Sequence, residues 1–279
     1  MQKTVYRSVW VSDVHLGFQD AKAEYLFEFL DSVECENLYL VGDLVDFWQA
    51  RQGWSWTVSH SRLMKLLIER AMNGTRVIYI PGNHDEIARD FFGLDFAGIR
   101  IQRNHVHESP DGRRFLVTHG DEFDAFVQCR VPTWVGDLAY GTLLRANRWI
   151  NAVRRRLGFG YWSLANFLKC RIREAATHIE RFEHAAVHEA RSRELDGIIC
   201  GHIHKPEICE IDGLLYCNDG DWVESCTALV EHVDGRLELV ESTDGQRVIL
   251  REGRRRVAGN AGPSPDSVPI PGKPPGPGL

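Results

Sequence analysis

Seven residues, Asp13, His15, Asp43, Asn83, His119, His202 and His204, could together hold metal ions. They fall in five short polar clusters: VSDVHLG (11–17), VGDLVDFW (41–48), IPGNHDE (80–86), VTHGDEFD (117–124) and IICGHIHKP (198–206). A His, Asp and Asn donor set without a thiolate suits manganese, iron or zinc in a working site rather than a structural zinc cage. One ion cannot take seven protein ligands and still bind substrate. Two ions about 3.5–4 Å apart, sharing one carboxylate, use the whole set and leave positions open.

Each cluster must be weighed against simpler readings. Asn83 and Asp85 also belong to a turn opened by Pro81 and Gly82. Taken singly, Asp13 and Asp43 are equally turn carboxylates, and His119 a hydrogen-bonded core histidine. Twelve histidines make a lone His-x-His weak evidence. His105 and His107 share that spacing but lack the strand and glycine before them, so they read as surface residues. His184 and His188 sit at helical i,i+4 spacing, but Ala185 occupies the place where a metalloprotease helix needs Glu. The weight lies in five clusters in order, each behind a run that reads as a strand.

Those runs are Val9 to Val11, Leu38 to Val41, Val77 to Ile80, Phe115 to Val117 and Ile198 to Cys200, followed by Leu214 to Cys217 and Thr227 to Glu231. Amphipathic helical patterns at 22–32 and 59–72 separate the first three, which predicts an α/β domain. Ligand sites in such sheets lie beyond the carboxyl ends of strands, so the clusters are expected to converge. If the segments stay extended, residues two apart face one way, pairing Asp13 with His15 and His202 with His204. From 121 to 195 the spacing turns helical, an insertion. Asp212-Gly213 and Asp234-Gly235 then read as hairpin turns. After Arg256 the chain becomes Pro, Gly and Ser, giving one domain over 1–256 and a disordered tail at 257–279.

With 279 residues, 43% hydrophobic content and a net charge of -6, the chain has material for a core and no basic footprint, so nucleic acid is not an expected partner. Seven scattered cysteines without CxxC spacing fit reduced thiols and a cytoplasmic location. No leader-like N-terminus and no run of eighteen apolar residues is present, so secretion and a spanning helix are not expected.

The blocks D-x-H, G-D, G-N-H-D, H-G and G-H-x-H, spanning residues 13–204, resemble the calcineurin-like metallophosphoesterases. The order SDVHLG, VGDLVDFW, helical insertion and GHIHKP is similar to their UDP-2,3-diacylglucosamine diphosphatase branch. The resemblance implies a four-layer α/β/β/α sandwich with a helical cap and two divalent metal ions, usually Mn2+. Asp13, His15, Asp43 and His204 would hold the first ion; Asp43, Asn83, His119 and His202 would hold the second, with Asp43 bridging. A metal-activated hydroxide would attack phosphorus, because bound water can have its pKa lowered to about 7. His84 would stabilise an equatorial oxygen or protonate the leaving group, and Asp85 would orient His84. Asn83, His84 and His202 would also meet the substrate.

Characterised members of that branch carry Arg after the metal-binding Asn, whereas this chain has His84. Arg is a permanently charged fork and His a titratable donor. A different lipid or a soluble phosphoester is therefore an open alternative, and a non-catalytic scaffold a third.

The insertion carries a basic side and an apolar side rich in Trp134, Trp149, Phe159, Tyr161, Trp162 and Phe167. It reads either as an ordinary amphipathic lid or as a cap for acyl chains, with cations for phosphates or lipid headgroups. Asp124, Ser163, Asn166, Lys169 and Arg173 are candidate substrate contacts, Asp124 being equally a helix N-cap. The aromatics of DFWQARQGWSW (46–56) line the same cleft or pack on the surface. The expected partner is a phosphorylated lipid or nucleotide-sugar lipid at the anionic cytoplasmic face of the inner membrane. REGRRR (251–256) reads as a solvated charge run.

Overall fold

Alternate residues along the central strands fill two different cores, and this alternation builds the layers. The computed structural model describes residues 3–49, 53–126, 164–243, 246–250 and 255–256, with side chains for all of these except 125–126, 164–175, 246–250 and 255–256. The elements in order are β1 (Thr4–Val11), α1 (Ala23–Asp31), β2 (Val33–Val41), α2 (Val58–Met72), β3 (Arg76–Ile80), β4 (Asp95–Phe96), β5 (Ile99–Ile101), β6 (His105–Glu108) and β7 (Arg114–Val117). After them come α3 (Leu164–Ser192), β8 (Gly197–Cys200), β9 (Glu207–Ile211), β10 (Leu214–Asn218), β11 (Thr227–Glu231), β12 (Leu237–Thr243), β13 (Gln246–Leu250) and β14 (Arg255–Arg256).

One sheet has the order β13-β12-β11-β1-β2-β3-β5-β4 and the other β14-β9-β10-β8-β7-β6. Val9, Val11, Leu38, Leu40 and Val77 face α1 and α2, meeting Leu26, Phe29, Leu30, Leu63 and Leu67. Their neighbours Trp10, Tyr39, Val41, Ile78 and Ile80 face the second sheet, meeting Phe115, Val117, Ile199 and Cys217. Leu116, Ile198, Cys200 and Tyr216 point the other way, onto Phe182, Ala186 and Ala190 of α3. The result is the α/β/β/α sandwich. Complete burial on both faces is why these strands read as continuous apolar runs.

β1, β2, β3 and β5 run parallel in one sheet, and β7, β8 and β10 in the other. Parallel neighbours end at the same edge, so the five clusters gather there. Asp212 and Gly213 form the two-residue turn between β9 and β10, with φ of 51° and 86°; Gly235 closes the longer turn before β12.

Two sequence expectations change, the strand at β6 and the surface placing of its histidines. β6 was not legible as a strand, and His107 on it is buried, its Nδ1 2.9 Å from the Tyr39 hydroxyl and its Nε2 3.0 Å from Glu231. Pairing of β6 with β7 turns alternate residues inward, so His107 joins the core and His105 is half-buried. Arg255 and Arg256 pair in parallel with Glu210 and Ile211 at a sheet edge. Of the helical insertion, α3 is described, while 127–163 and the tail from 257 lie outside the described residues. No helix among the described residues is long and apolar enough to cross a membrane.

Candidate metal centre

Five of the seven donor residues have left-handed backbone: φ is 52° at Asp13, 53° at His15, 50° at Asp43, 69° at His202 and 51° at His204. A non-glycine residue there costs roughly 1–2 kcal/mol, although Asp and His tolerate it better than most. The extended alternation expected at Asp13/His15 and His202/His204 is therefore not the local geometry. Asp13 N donates to Gly42 O and His15 N to Asp43 O, tying the two loops beyond their strands. Ile203 N donates to Gly201 O at 2.9 Å, closing a tight turn over His202. With kinks at both residues of each pair, Asp13 and His15 turn to one donor group, while His202 and His204 are split between two.

The glycines supply room. A Cβ at Gly42 would stand 2.1 Å from His119 Nδ1, one at Gly82 2.3 Å from Asp43 Oδ1, and one at Gly201 2.5 Å from Asp13 Oδ2. Any side chain at these positions would displace a donor.

The ligating atoms of Asp13, His15 and His204 lie within 4.8 Å of one another, as do those of Asp43, His119 and His202. His15 Nε2 links the halves, 3.9 Å from both Asp13 Oδ1 and Asp43 Oδ2; His119 Nε2 is 3.5 Å from Asp43 Oδ2. His119 Nδ1 donates to the Val41 carbonyl, which leaves Nε2 as the nitrogen for a metal. His15 Nε2, His119 Nε2 and Asn83 Oδ1 are buried without a hydrogen-bond partner. Buried polar atoms are ordinarily satisfied, so three orphans, two of them histidine nitrogens beside the Asp43 carboxylate, fit a cation site.

The electrostatics agree. Burial opposes ionisation of Asp13, but His204, whose Nε2 is 3.1 Å from Asp13 Oδ1, holds the carboxyl well below its usual range. Burial likewise opposes protonation of His204, yet Asp13 lifts it to about 9. Burial raises and His119 lowers the Asp43 carboxyl, with a net lowering. The pocket thus gathers protons when it holds no other cation, and a metal ion must displace them.

His84 follows Asn83, and its Nδ1 lies 3.0 Å from Asp46 Oδ1. The other Asp46 oxygen lies 3.3 Å from His15 Nδ1. One carboxylate thus sits behind both rings. Burial would lower the His84 pKa, but Asp46 and Asp43 raise it overall. Asp85, expected to orient His84, does something else: its carboxylate accepts from Gly82 N at 2.6 Å and Leu44 N at 2.7 Å, and from the Tyr79 hydroxyl. Fully buried, it clamps the second and third loops together. Asp46 was missed although it lies three residues past Asp43 in the same cluster.

A sixth strand end was also missed. The segment CNDGDW (217–222) follows β10 as the other clusters follow their strands, but it carries no histidine. Asp219 accepts from Ser12 Oγ at 2.7 Å, and Trp222 N donates to Asp13 O at 3.0 Å, so this segment braces the first loop.

Asp124 Oδ2 lies 2.8 Å from His202 Nε2, making it a partner of a candidate ligand. A cavity of about 590 Å³ opens beside His119, lined also by Arg89, Arg103, Asp121 and Arg193. Asn166, Lys169 and Arg173 lie on α3, but their side chains, like Ser163 altogether, are outside the described residues.

A family model of the calcineurin-like phosphoesterases matches residues 6–206. The chain is 25% identical to the UDP-2,3-diacylglucosamine hydrolase of Photorhabdus laumondii, over 73% of this chain and 84% of that protein. It is 22% identical to the protein of the same name from Vibrio vulnificus, over 82% and 95%. Among solved structures it is similar to YfcE, a phosphoesterase from E. coli, at 12% identity, covering 86% of this chain and 96% of that one with a TM-score of 0.45.

Proposed function

The chain belongs to the calcineurin-like phosphoesterase family and is a hydrolase acting on phosphoesters; from that premise we propose that it cleaves the diphosphate of UDP-2,3-diacylglucosamine, giving UMP and the acylated sugar 1-phosphate. The observation that carries the chemistry is the set of orphaned buried donors, His15 Nε2, His119 Nε2 and Asn83 Oδ1, with both histidine nitrogens beside the Asp43 carboxylate. In this reading Asp13, His15, Asp43 and His204 hold one divalent ion and Asp43, Asn83, His119 and His202 the other, both Mn2+. When bound, such ions neutralise charge on the phosphoryl oxygens and lower the pKa of a water nucleophile. Asp46 holds the His84 ring and favours its protonated form, so His84 has a proton for the departing or equatorial oxygen. His119, tied to Val41 O, presents Nε2 in a fixed tautomer.

The substrate's name is supported by the likeness to relatives called UDP-2,3-diacylglucosamine hydrolase. On this reading the enzyme works in the cytoplasm at the inner membrane surface. Asp124, Ser163, Asn166, Lys169 and Arg173 contact substrate from the cap side. UMP release by Mn-loaded protein is the test; robust turnover of an aryl phosphate with no UMP release would sink the lipid claim and leave the phosphoesterase intact.

A second reading, hydrolysis of another lipid or of a soluble phosphoester, is favoured by His84, a titratable donor where the diphosphatase branch carries a permanently charged Arg. In that case His84→Arg gains diphosphatase activity. A non-catalytic role is countered by the retention of all seven donors and His84, and predicts that Asp43→Ala changes no turnover.

A further inference from the structure

Phe47, Trp48, Trp54 and Trp56 are 40%, 40%, 39% and 41% exposed. None of the four belongs to the three apolar cores. Scattered exposed apolar residues need no explanation, but a contiguous set beside a reaction centre marks a binding surface. The rings form two groups, one at His84 and one on the loop that follows His15. Trp48 lies over the His84 imidazole, centroids 4.1 Å apart and planes at 32°. Phe47 meets Trp54 at 5.9 Å, and Trp54 stacks on Trp56 at 5.4 Å and 15°.

The outer pair is held to the loop that bears the first donors. Ser55 N donates to Gly17 O at 3.0 Å in an antiparallel bridge, two residues beyond His15. The Trp54 ring lies on Gly17, 3.5 Å from where a Cβ would stand. Trp56 Nε1 donates to Ser61 Oγ, on the first turn of α2, at 2.9 Å. Anchored yet about two-fifths exposed, the rings make a platform that does not have to be ordered when a ligand arrives.

We propose that Trp54 and Trp56, on the loop that follows His15, are the subsite for the planar base of a nucleoside phosphate. This rests on reading the centre as a nucleotide diphosphate hydrolase. An acyl chain draws affinity from apolar enclosure on several sides, which half-open rings on a surface do not supply. A base needs one aromatic face, and every base has a π face to offer.

The test compares UMP with ribose 5-phosphate, which lacks the base, by tryptophan fluorescence quenching and calorimetry on the Mn-loaded full chain. UMP is expected to bind about tenfold or more tighter. In Trp54→Ala and Trp56→Ala the two ligands converge to within about twofold, whereas Trp54→Phe and Trp56→Phe, which keep a π face, retain the preference and control for folding. No preference in the wild type, or an undiminished one in both alanine variants, overturns the subsite. A rise in KM for UDP-2,3-diacylglucosamine with the UMP preference untouched assigns the rings to the acyl chains and overturns it too. UMP release by the wild type is scored separately. Release with an undiminished preference in the variants removes the subsite alone; no release with a ring-dependent preference removes the substrate alone.

Discussion

Asp46→Asn tests the arrangement most sharply, because one carboxylate serves two rings. Its oxygens lie 3.0 Å from His84 Nδ1 and 3.3 Å from His15 Nδ1, so the substitution keeps the shape and removes the charge. A hydrogen bond to a charged group is worth about 1.5–3 kcal/mol, and outer partners of metal-binding histidines typically contribute 10- to 100-fold in affinity or activity. With both rings affected and such effects not additive, kcat/KM is expected to fall about 10²- to 10³-fold. Asp46 raises the His84 pKa. A raised pKa keeps the ring protonated to higher pH, so if protonated His84 is the working form, activity falls as pH rises through that value. In Asp46→Asn the descending limb moves to lower pH. Steady-state kinetics across pH at saturating Mn2+, with metal content measured separately, reads both effects. A variant within about twofold of wild type in kcat/KM, with an unmoved limb, would refute the role given to Asp46.

Gly82→Ala places a methyl 2.3 Å from Asp43 Oδ1 and 2.7 Å from His119 Nε2; Mn2+ affinity is expected to drop about tenfold or more with the circular dichroism spectrum unchanged, and wild-type metal content would count against it. Glu231, fully buried, accepts from Ser8, Ser109 and the Arg7 guanidinium and faces His107. Burial opposes its ionisation, yet His107 and the hydroxyls bring it from 4.5 to about 2. A depressed carboxyl stabilises the fold above its unfolded pKa and loses that stabilisation as pH falls through the folded one, so Glu231→Gln should cost about 3 kcal/mol at pH 7 and less than about 1 kcal/mol near pH 2. Urea unfolding at both pH values checks this; an equal loss at each would show that charge is not the cause. Truncation after Arg256 keeps the β14 pairing with β9 and should leave turnover of an aryl phosphate unchanged, a large loss instead giving the tail a part in the domain.

Much of this protein is legible locally. The strands that are buried on both faces announce themselves as β-branched runs, and parallel order follows from the helices between them, so the α/β class and the common edge of the five clusters need no coordinates. The donor types are likewise written in the chain: seven His, Asp and Asn residues with no thiolate specify hard, hydrolytic chemistry wherever they meet. What the chain order does not contain is which atom faces which. His107 looks like His202 in its spacing, and only the β6–β7 register puts it into the core. Asp85 is adjacent to His84 in sequence, while Asp46, from another strand end, is adjacent in space. Asp13 and His15 meet, and His202 and His204 part to separate donor groups, through left-handed kinks rather than strand alternation. Residue type sets what a side chain can do, but through-space partners set its direction and its proton, and those partners come from segments up to about two hundred positions apart, as with Asp13 and His204.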